Sequence, residues 1–142
     1  MNVASVRLTL SFPPSELSPN SRMHWRKKAK VTADYREECG WTAKAFIADQ
    51  CPYCGPLSKS RHLALTPPVR AVVTFVVPDR RPRDMDNLLA SLKAAWDGLT
   101  DAGVLTGDDA ARFAVERSGI RYEKGERFVE VELWSLEGST DG

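Results

Sequence analysis

The chain has 142 residues, a length that suits one globular domain with a sizeable apolar core. Its apolar runs fall short of the roughly 20 residues that a membrane helix needs, and its first residues lack the layout of a secretory signal, so we expect a cytoplasmic protein with no membrane partner. The net charge of +1 conceals an asymmetry, because residues 1–83 hold 14 basic and 6 acidic side chains whereas residues 84–142 hold 6 and 13.

The first half of the chain predicts two strands with a helix and a loop between them. Apolar and polar residues alternate over residues 5–12, which is typical of a half-buried strand. A basic, turn-rich stretch over residues 19–25 leads into a helix predicted from about Lys30 to Ala48. Residues 49–68 are rich in Cys, Pro, Gly, Ser and His and indicate a loop insertion, and the β-branched run over residues 69–77 indicates a central strand.

The second half predicts one long helix followed by a hairpin. Over residues 87–102, apolar side chains recur at helical spacing, acidic residues precede the first turn and a glycine follows the last. Residues 113–122 and 127–134 indicate two strands, and residues 137–142 a frayed, flexible tail. The order strand, helix, strand, helix, strand, strand predicts a single α+β domain over residues 1–136, with a mixed β-sheet and two main helices.

Pairs of aspartates flank the second predicted helix. Asp84 and Asp86 stand where a strand exit meets the start of the helix, and Asp108 and Asp109 follow the loop after it. The helix is about 24 Å long at 1.5 Å per residue, and the loop leaves room for the chain to return, so both pairs can meet around one ion. Such an all-oxygen site suits Mg²⁺ or Mn²⁺ rather than zinc. The alternative is structural: Asp84 and Asp86 cap the helix, and Asp108 and Asp109 form an ordinary turn.

Basic side chains accompany these carboxylates. Arg80, Arg81 and Arg83 lead directly into Asp84, and a second basic group lies in an acid-free stretch over residues 17–33. Cations beside carboxylates suit a site that attracts a phosphate backbone and also holds a divalent metal, although such runs can equally be solvated surface. The predicted DNA-binding residues are Asn20, Arg22, His24, Lys27, Lys28, Arg80, Arg81 and Arg83.

Lys93 follows Asp86 by seven positions, so both side chains project from one face of a continuous helix. Two interpretations are open. Lys93 forms an i,i+4 ion pair with Asp97, or its ammonium group stabilises the charge that develops on a phosphorane transition state.

Three cysteines make an odd number, so a secreted disulfide framework is not expected. Cys51 and Cys54 form a CxxC motif that, with Cys39 and His62, offers four candidate zinc ligands. A single CxxC lacks the second half of a zinc finger. Structural zinc is therefore the less favoured interpretation, and a thiol-bearing surface loop the favoured one.

These residues together resemble the RusA family of Holliday junction resolvases, common in phages and prophages. The matching motifs are Asp84-Met85-Asp86-Asn87-Leu88, Leu92-Lys93-Ala94-Ala95-Trp96-Asp97-Gly98-Leu99, Asp101-Ala102-Gly103-Val104-Leu105 and Asp108-Asp109. Pro13-Pro14-Ser15, residues 20–24 and the closing hairpin are similar to the family as well. The resemblance covers most of the chain except about residues 49–66, and it implies a RusA-like endonuclease domain over residues 1–136 in a bacterial or phage-infected cell.

The resemblance implies an enzyme of DNA recombination and repair: a crossover junction endodeoxyribonuclease that binds a four-way junction as a homodimer and makes paired symmetric nicks with Mg²⁺, for which Mn²⁺ substitutes. Three aspartates and a lysine act in each subunit. By position these are Asp84, Asp86, either Asp109 or Asp108, and Lys93. The best-known form of the motif has its lysine one helical turn after the second aspartate, where this chain has Ala90. Two alternatives remain: a nuclease for branched or flap DNA more broadly, and a non-catalytic protein that binds junctions.

Overall fold

The computed structural model describes residues 5–19, 21–22, 24–50, 65–107 and 109–136. Within these ranges lie four strands, three α-helices and one short 3-10 turn. The elements are β1 (Ser5–Ser11), the 3-10 turn (Ser15–Leu17), α1 (Trp25–Gln50), β2 (Val69–Val77), α2 (Met85–Ala90), α3 (Lys93–Asp101), β3 (Phe113–Tyr122) and β4 (Phe128–Ser135). Each described helix is too short or too polar to cross a lipid bilayer.

The four strands form one mixed sheet in the order β1, β4, β2, β3. β2 runs parallel to β3, and β4 runs antiparallel to both β1 and β2. Phe128 of β4 pairs with Ser11 on one side and with Val76 on the other, and Val77 pairs with Tyr122. The strands β1, β2 and β3 therefore all finish at one end of the sheet, which we call the carboxyl end. Val69 pairs with Phe113 at the opposite, amino end. The predicted α+β fold with a mixed sheet is confirmed.

One face of the sheet builds the core with α1 and α3. Alternate residues of β1 and β4 are buried, as the period of two in a pleated strand requires, and the residues between them are more exposed. The largest fully buried side chains include Leu10, Tyr35, Phe75, Leu92, Leu99, Leu105 and Leu133.

The first helix begins earlier than its sequence predicts, at Trp25 rather than near Lys30. It crosses α3 where two glycines meet, and a Cβ added at Gly98 would collide with the backbone carbonyl of Arg36. The guanidinium of Arg36 also binds both carboxylate oxygens of Asp101, at 2.6 and 2.8 Å. These contacts fix α3 on α1.

The prediction of one continuous helix over residues 87–102 is wrong, because the structure divides it into α2 and α3 at Ser91 and Leu92. The hydroxyl of Ser91 donates to the Leu88 carbonyl at 2.7 Å, a local hydrogen bond of the kind that competes with a regular helix. Leu92 is fully buried. At the far end Gly103 takes a positive φ of 87°, which agrees with the predicted glycine terminator.

Candidate active site

Asp84 and Asp86 lie in one turn at the carboxyl end of the sheet. Asp84 is the N-cap of α2, and its Oδ1 accepts hydrogen bonds from the backbone N–H groups of Asp86 at 2.9 Å and Asn87 at 3.4 Å. The capping interpretation is therefore confirmed for Asp84. Its Oδ2 and the whole carboxylate of the exposed Asp86 have no hydrogen-bond or ion-pair partner among the described residues. The turn thus offers carboxylate oxygens that the fold does not use.

The loop that leads into this turn is held by Asp79. The guanidinium of Arg83 donates to the Asp79 carboxylate at 2.9 Å and to the backbone carbonyls of Asp79 and Arg81 at 3.0 Å each. The Arg81 backbone N–H, followed by the Arg83 and Arg81 guanidinium groups, lowers the pKa of Asp79 to about 2. The side chain of Arg83 is only 12% exposed. Two of the predicted DNA-binding arginines therefore brace the loop that ends at Asp84.

A groove opens beside Asp84, between the segment that follows β1 and the first turns of α2. We call it the Asp84 groove. It is lined by Phe12, Pro13, Pro14, Ser15, Ser18, Arg83, Asp84, Asn87, Leu88, Ser91 and Arg127. The guanidinium of Arg127 lies 4.7 Å from the centre of the Phe12 ring. Sequence reasoning did not select Arg127, because only the pairing of β1 with β4 brings it to this place, whereas Asn87 was visible inside the aspartate motif.

Asp109 lies at the other end of the sheet. Its backbone carbonyl accepts the N–H of Phe113, the first residue of β3, at 2.9 Å. Phe113 pairs with Val69 at the start of β2, and the nine residues of β2 span about 30 Å at 3.3 Å per residue before the chain reaches Asp84. The expectation that one chain brings Asp109 to Asp84 is therefore wrong.

The cause is the direction of the chain after the aspartate turn. α2 and α3 carry it back along the sheet to the amino end, where the Val104 carbonyl accepts the N–H of Leu65 at 3.0 Å, and the following loop stays there. No group of three His, Cys, Asp or Glu side chains placed to hold a metal occurs among the described residues. The position of Asp108 lies outside those residues.

Lys93 is the first residue of α3, beyond the break between the two helices. The shared helical face expected for Lys93 and Asp86 does not apply, because the helix that would set it is interrupted. The ammonium of Lys93 binds the Asp97 carboxylate at 2.9 Å. The predicted i,i+4 pair is thus confirmed, and a catalytic role for Lys93 stays a prediction.

The start of α1 presents an exposed basic and aromatic surface. Trp25 is 68% exposed and so does not cover the core. The ring of His24 stacks on it at 5.8 Å, and the Arg26 guanidinium lies 5.2 Å from its centre. Of the predicted DNA-binding residues here, Arg22, His24 and Lys27 are exposed, Lys28 is half-buried and Asn20 lies outside the described residues.

Arg80 joins a second exposed aromatic at the carboxyl end. Its guanidinium lies 4.5 Å from the centre of the Tyr122 ring, and it forms no ion pair with another described residue. Of the three arginines before Asp84, Arg80 is therefore the one whose charge the loop leaves available to a ligand.

Cys39 lies in the core, with no group of metal-binding side chains around it among the described residues. It is buried on α1 where the helix meets Gly98, and burial raises the pKa of its thiol to about 12. A zinc ligand must be a thiolate, so this environment does not support Cys39 as one. The other three candidate zinc ligands, Cys51, Cys54 and His62, lie outside the described residues.

Comparisons with known proteins identify relatives of the chain, although no protein-family model matches it. It is 35% identical over 108 residues to the crossover junction endodeoxyribonuclease RusA of Escherichia coli strain K12, and the aligned residues make up 72% of each chain. It is 33% identical over 101 residues to the protein of that name from Enterobacteria phage 82, covering 68% of both. An uncharacterized protein of Xylella fastidiosa is 31% identical over 113 residues, which are 75% of this chain and 61% of the relative. The chain belongs to the RusA family of crossover junction endodeoxyribonucleases.

Proposed function

We propose that this protein is a Mg²⁺-dependent endodeoxyribonuclease that resolves four-way DNA junctions by paired symmetric nicks as a homodimer. The names of its relatives support the enzyme class and the substrate. The observation that carries the proposal is the braced turn of Asp84 and Asp86, whose unused carboxylate oxygens lie beside a groove with arginines in its walls.

The donor set of this turn fits magnesium. Mg²⁺ keeps several waters and is commonly bound through one or two carboxylates together with phosphate oxygens of the substrate. Asp84 would contribute Oδ2, since its Oδ1 caps α2, and the exposed Asp86 would contribute its carboxylate. When bound, Mg²⁺ supplies a water of lowered pKa and polarises the scissile phosphate. Mn²⁺ shares this preference for oxygen ligands and should substitute.

The chain's own residues position the DNA and the ligands. Arg83 and Asp79 keep the Asp84 turn in place before DNA arrives, so no ordering of this loop is needed at the moment of reaction. Exposed cations such as Arg22, Lys27 and Arg80 neutralise phosphates and orient the duplex arms without reading sequence.

Dimerisation gives Asp109 a place in the site. Asp109 cannot reach Asp84 of its own chain, but a two-fold interface is reciprocal and can lay the amino end of each sheet beside the carboxyl end of the other. We therefore propose that Asp109 or Asp108 of the partner subunit completes each metal site. Two such composite sites would face the two strands of a four-way junction that are cut in pairs.

Asp86→Asn tests the nuclease function, because it nearly preserves shape while it removes a ligand charge. We expect Mg²⁺-dependent cleavage of a four-way junction to be lost, with binding in Ca²⁺ retained or strengthened because a negative charge near phosphate is removed. Glu116→Gln is the matched control, since Glu116 is exposed on β3 and has no ion pair with another described residue. Wild-type cleavage by Asp86→Asn would overturn the site.

The same assay separates the competing functions. A wild-type preference for four-way junctions over flaps and linear duplexes supports a resolvase, and equal cutting of flaps supports a broader nuclease for branched DNA. Junction binding without cleavage at any Mg²⁺ concentration would leave a DNA-binding protein whose aspartates only cap helices.

A further inference from the structure

The Asp84 groove has two chemically different walls. One wall is apolar and is made by Phe12, Pro13 and Pro14, with the Phe12 ring held edge-on against Phe75 at 5.9 Å. The other wall is the first turns of α2, with the half-buried side chains of Asn87 and Leu88. A flat apolar wall facing a polar side chain is the arrangement on which proteins hold an unstacked nucleobase.

The size of the groove limits what it can take. Its volume is about 210 Å³, below the roughly 300–1,000 Å³ of sites that enclose a whole drug-sized ligand. A single base with its sugar is a suitable occupant, whereas a base pair is not. The occupant is therefore an unpaired nucleotide, such as one at the branch point of a junction.

The polar groups of the groove favour an anionic ligand. Among the described residues that line the groove, Asp84 is the only acidic one. Arg83 lines it too but is paired with Asp79, whereas Arg127 adds a positive charge, and the Lys28 ammonium binds the backbone carbonyl of Ser18 on the rim at 3.3 Å. Arg127 is exposed and forms no ion pair with another described residue. Its guanidinium is thus available to a phosphate, and Phe12 holds it at the mouth of the groove.

The side-chain amide of Asn87 can distinguish one base from another. Its backbone N–H bonds to Asp84, but its side-chain amide has no hydrogen-bond partner among the described residues. An amide presents a donor and an acceptor together, which matches the edge of one base better than the others. Asn87 follows Asp86 directly in the chain, so a nucleotide held here has its neighbouring phosphate close to the carboxylates.

We propose that the Asp84 groove is a nucleotide subsite that holds the unpaired nucleotide next to the scissile phosphate. Its base lies between the Phe12–Pro14 wall and α2, Asn87 reads the base edge, and Arg127 binds the phosphate. The assignment rests on the proposed nuclease function and adds to it a residue that determines the sequence at which the junction is cut.

The test uses four junctions that differ only in the base beside the mapped cut. We expect wild-type cleavage rates to differ about tenfold or more between the best and worst base, as one matched amide contact implies. Asn87→Ala should bring the four rates within about twofold of one another. Arg127→Ala should keep the wild-type preference, weaken junction binding in Ca²⁺ for all four, and lower the slope of log K against log salt by about one.

Arg117→Ala is the matched control, because Arg117 is an exposed arginine of β3 that does not line the groove, and it should behave as wild type. An Asn87→Ala variant that keeps the wild-type preference, or an Arg127→Ala variant whose salt slope equals that of Arg117→Ala, overturns the subsite and leaves the nuclease function standing. A wild-type chain that binds junctions and never cuts them overturns both.

Discussion

The two ends of the sheet use aspartate in different ways. At the carboxyl end, Arg83 and Arg81 bind Asp79, so the carboxylate of Asp86 and one oxygen of Asp84 stay available to a ligand. At the amino end, the carboxylate of Asp109 accepts the N–H of Arg112 at 3.1 Å and lies 3.7 Å from its guanidinium. The carboxyl end has a groove and a separate brace, whereas Asp109 at the amino end makes its contacts within its own turn. In the homodimer proposed above, one chain supplies Asp84 and Asp86 to each metal site, and the amino end of the partner supplies the third aspartate.

The largest expected effect comes from mixing two inactive variants. One chain carries Asp86→Asn, and the other carries Asp108→Asn with Asp109→Asn, because both residues are candidates for the third ligand. Each variant alone should show no Mg²⁺-dependent cleavage. If the two ends complete each other across the dimer, about half of the dimers in an equal mixture contain one intact site. We expect these mixed dimers to nick one strand of a junction, as read on a denaturing gel.

An inactive mixture would mean that the aspartates of the two ends act within one chain. If each site lay in a single subunit, every site in the mixture would lack a ligand, and the mixture would be as inactive as its components. Cleavage by the chain that carries Asp108→Asn and Asp109→Asn alone would show that the amino end contributes nothing to the reaction. Size-exclusion chromatography of each variant and of the mixture serves as the control for dimer formation.

The next largest effect distinguishes Arg83 at the carboxyl end from Arg112 at the amino end. Arg83→Ala removes the hydrogen bonds that hold the loop before Asp84, and we expect cleavage to fall about 10- to 100-fold as the turn loses its position. Arg83→Lys should fall nearly as far, because an ammonium keeps the charge but not the forked geometry. Among the described residues, the one ion pair that Arg112→Ala removes is the exposed contact with Asp109 at 3.7 Å, so this variant should stay within about threefold of wild type.

Rescue of cleavage by Arg83→Lys would mean that the charge of Arg83, not its bracing geometry, is what matters. The thermal stability of all three variants is measured beside the rates, so that a loss from unfolding is distinguished from a loss of position. If Arg83→Ala misplaces the Asp84 turn without unfolding the protein, kcat should fall even at saturating concentrations of Mg²⁺ and junction DNA.

The sequence predicts the sheet well and the site only in part. The strands follow from local sequence patterns that reflect burial on a pleated sheet. These patterns are the alternation over residues 5–12 and the β-branched run over residues 69–77. The apolar spacing continues through Ser91 and Leu92, so the pattern did not indicate the helix break, although the Ser91 hydroxyl is a group that can compete with a regular helix. The length of the helix allowed the chain either to return to Asp84 or to leave it, and only the parallel pairing of β2 with β3 decides that Asp109 stays at the amino end. Arg127 was missed because another long-range pairing, that of β1 with β4, brings it to the Asp84 groove.

A smaller effect concerns pH and the brace at the carboxyl end. Bonds from Arg81 and Arg83 lower the pKa of Asp79 from 3.8 to about 2, so the carboxylate stabilises the fold while it is ionised. This contribution is complete above the unfolded pKa, near 4, and is lost as the pH falls through 2. We expect the difference in thermal stability between wild type and Asp79→Asn to be constant above about pH 5 and to shrink below pH 4. A difference that stayed constant down to pH 2 would contradict the brace.

The smallest effect is expected at Lys93, which lies between the two ends and belongs to neither groove nor turn. It is exposed and binds Asp97, and i,i+4 pairs of this kind contribute about 0.5 kcal/mol or less. Lys93→Ala and Asp97→Asn should therefore lower the free energy of unfolding by similar small amounts, and the double variant by little more than either alone, while Lys93→Ala keeps cleavage within a few-fold of wild type. A loss of about 100-fold or more in kcat, with stability unchanged, would instead show that the ammonium leaves Asp97 to act on the phosphate, because a cation aimed at a developing charge contributes on that scale. Comparing the change in kcat with the change in stability thus shows whether α3 takes part in the reaction through Lys93 or only carries the chain from one end of the sheet to the other.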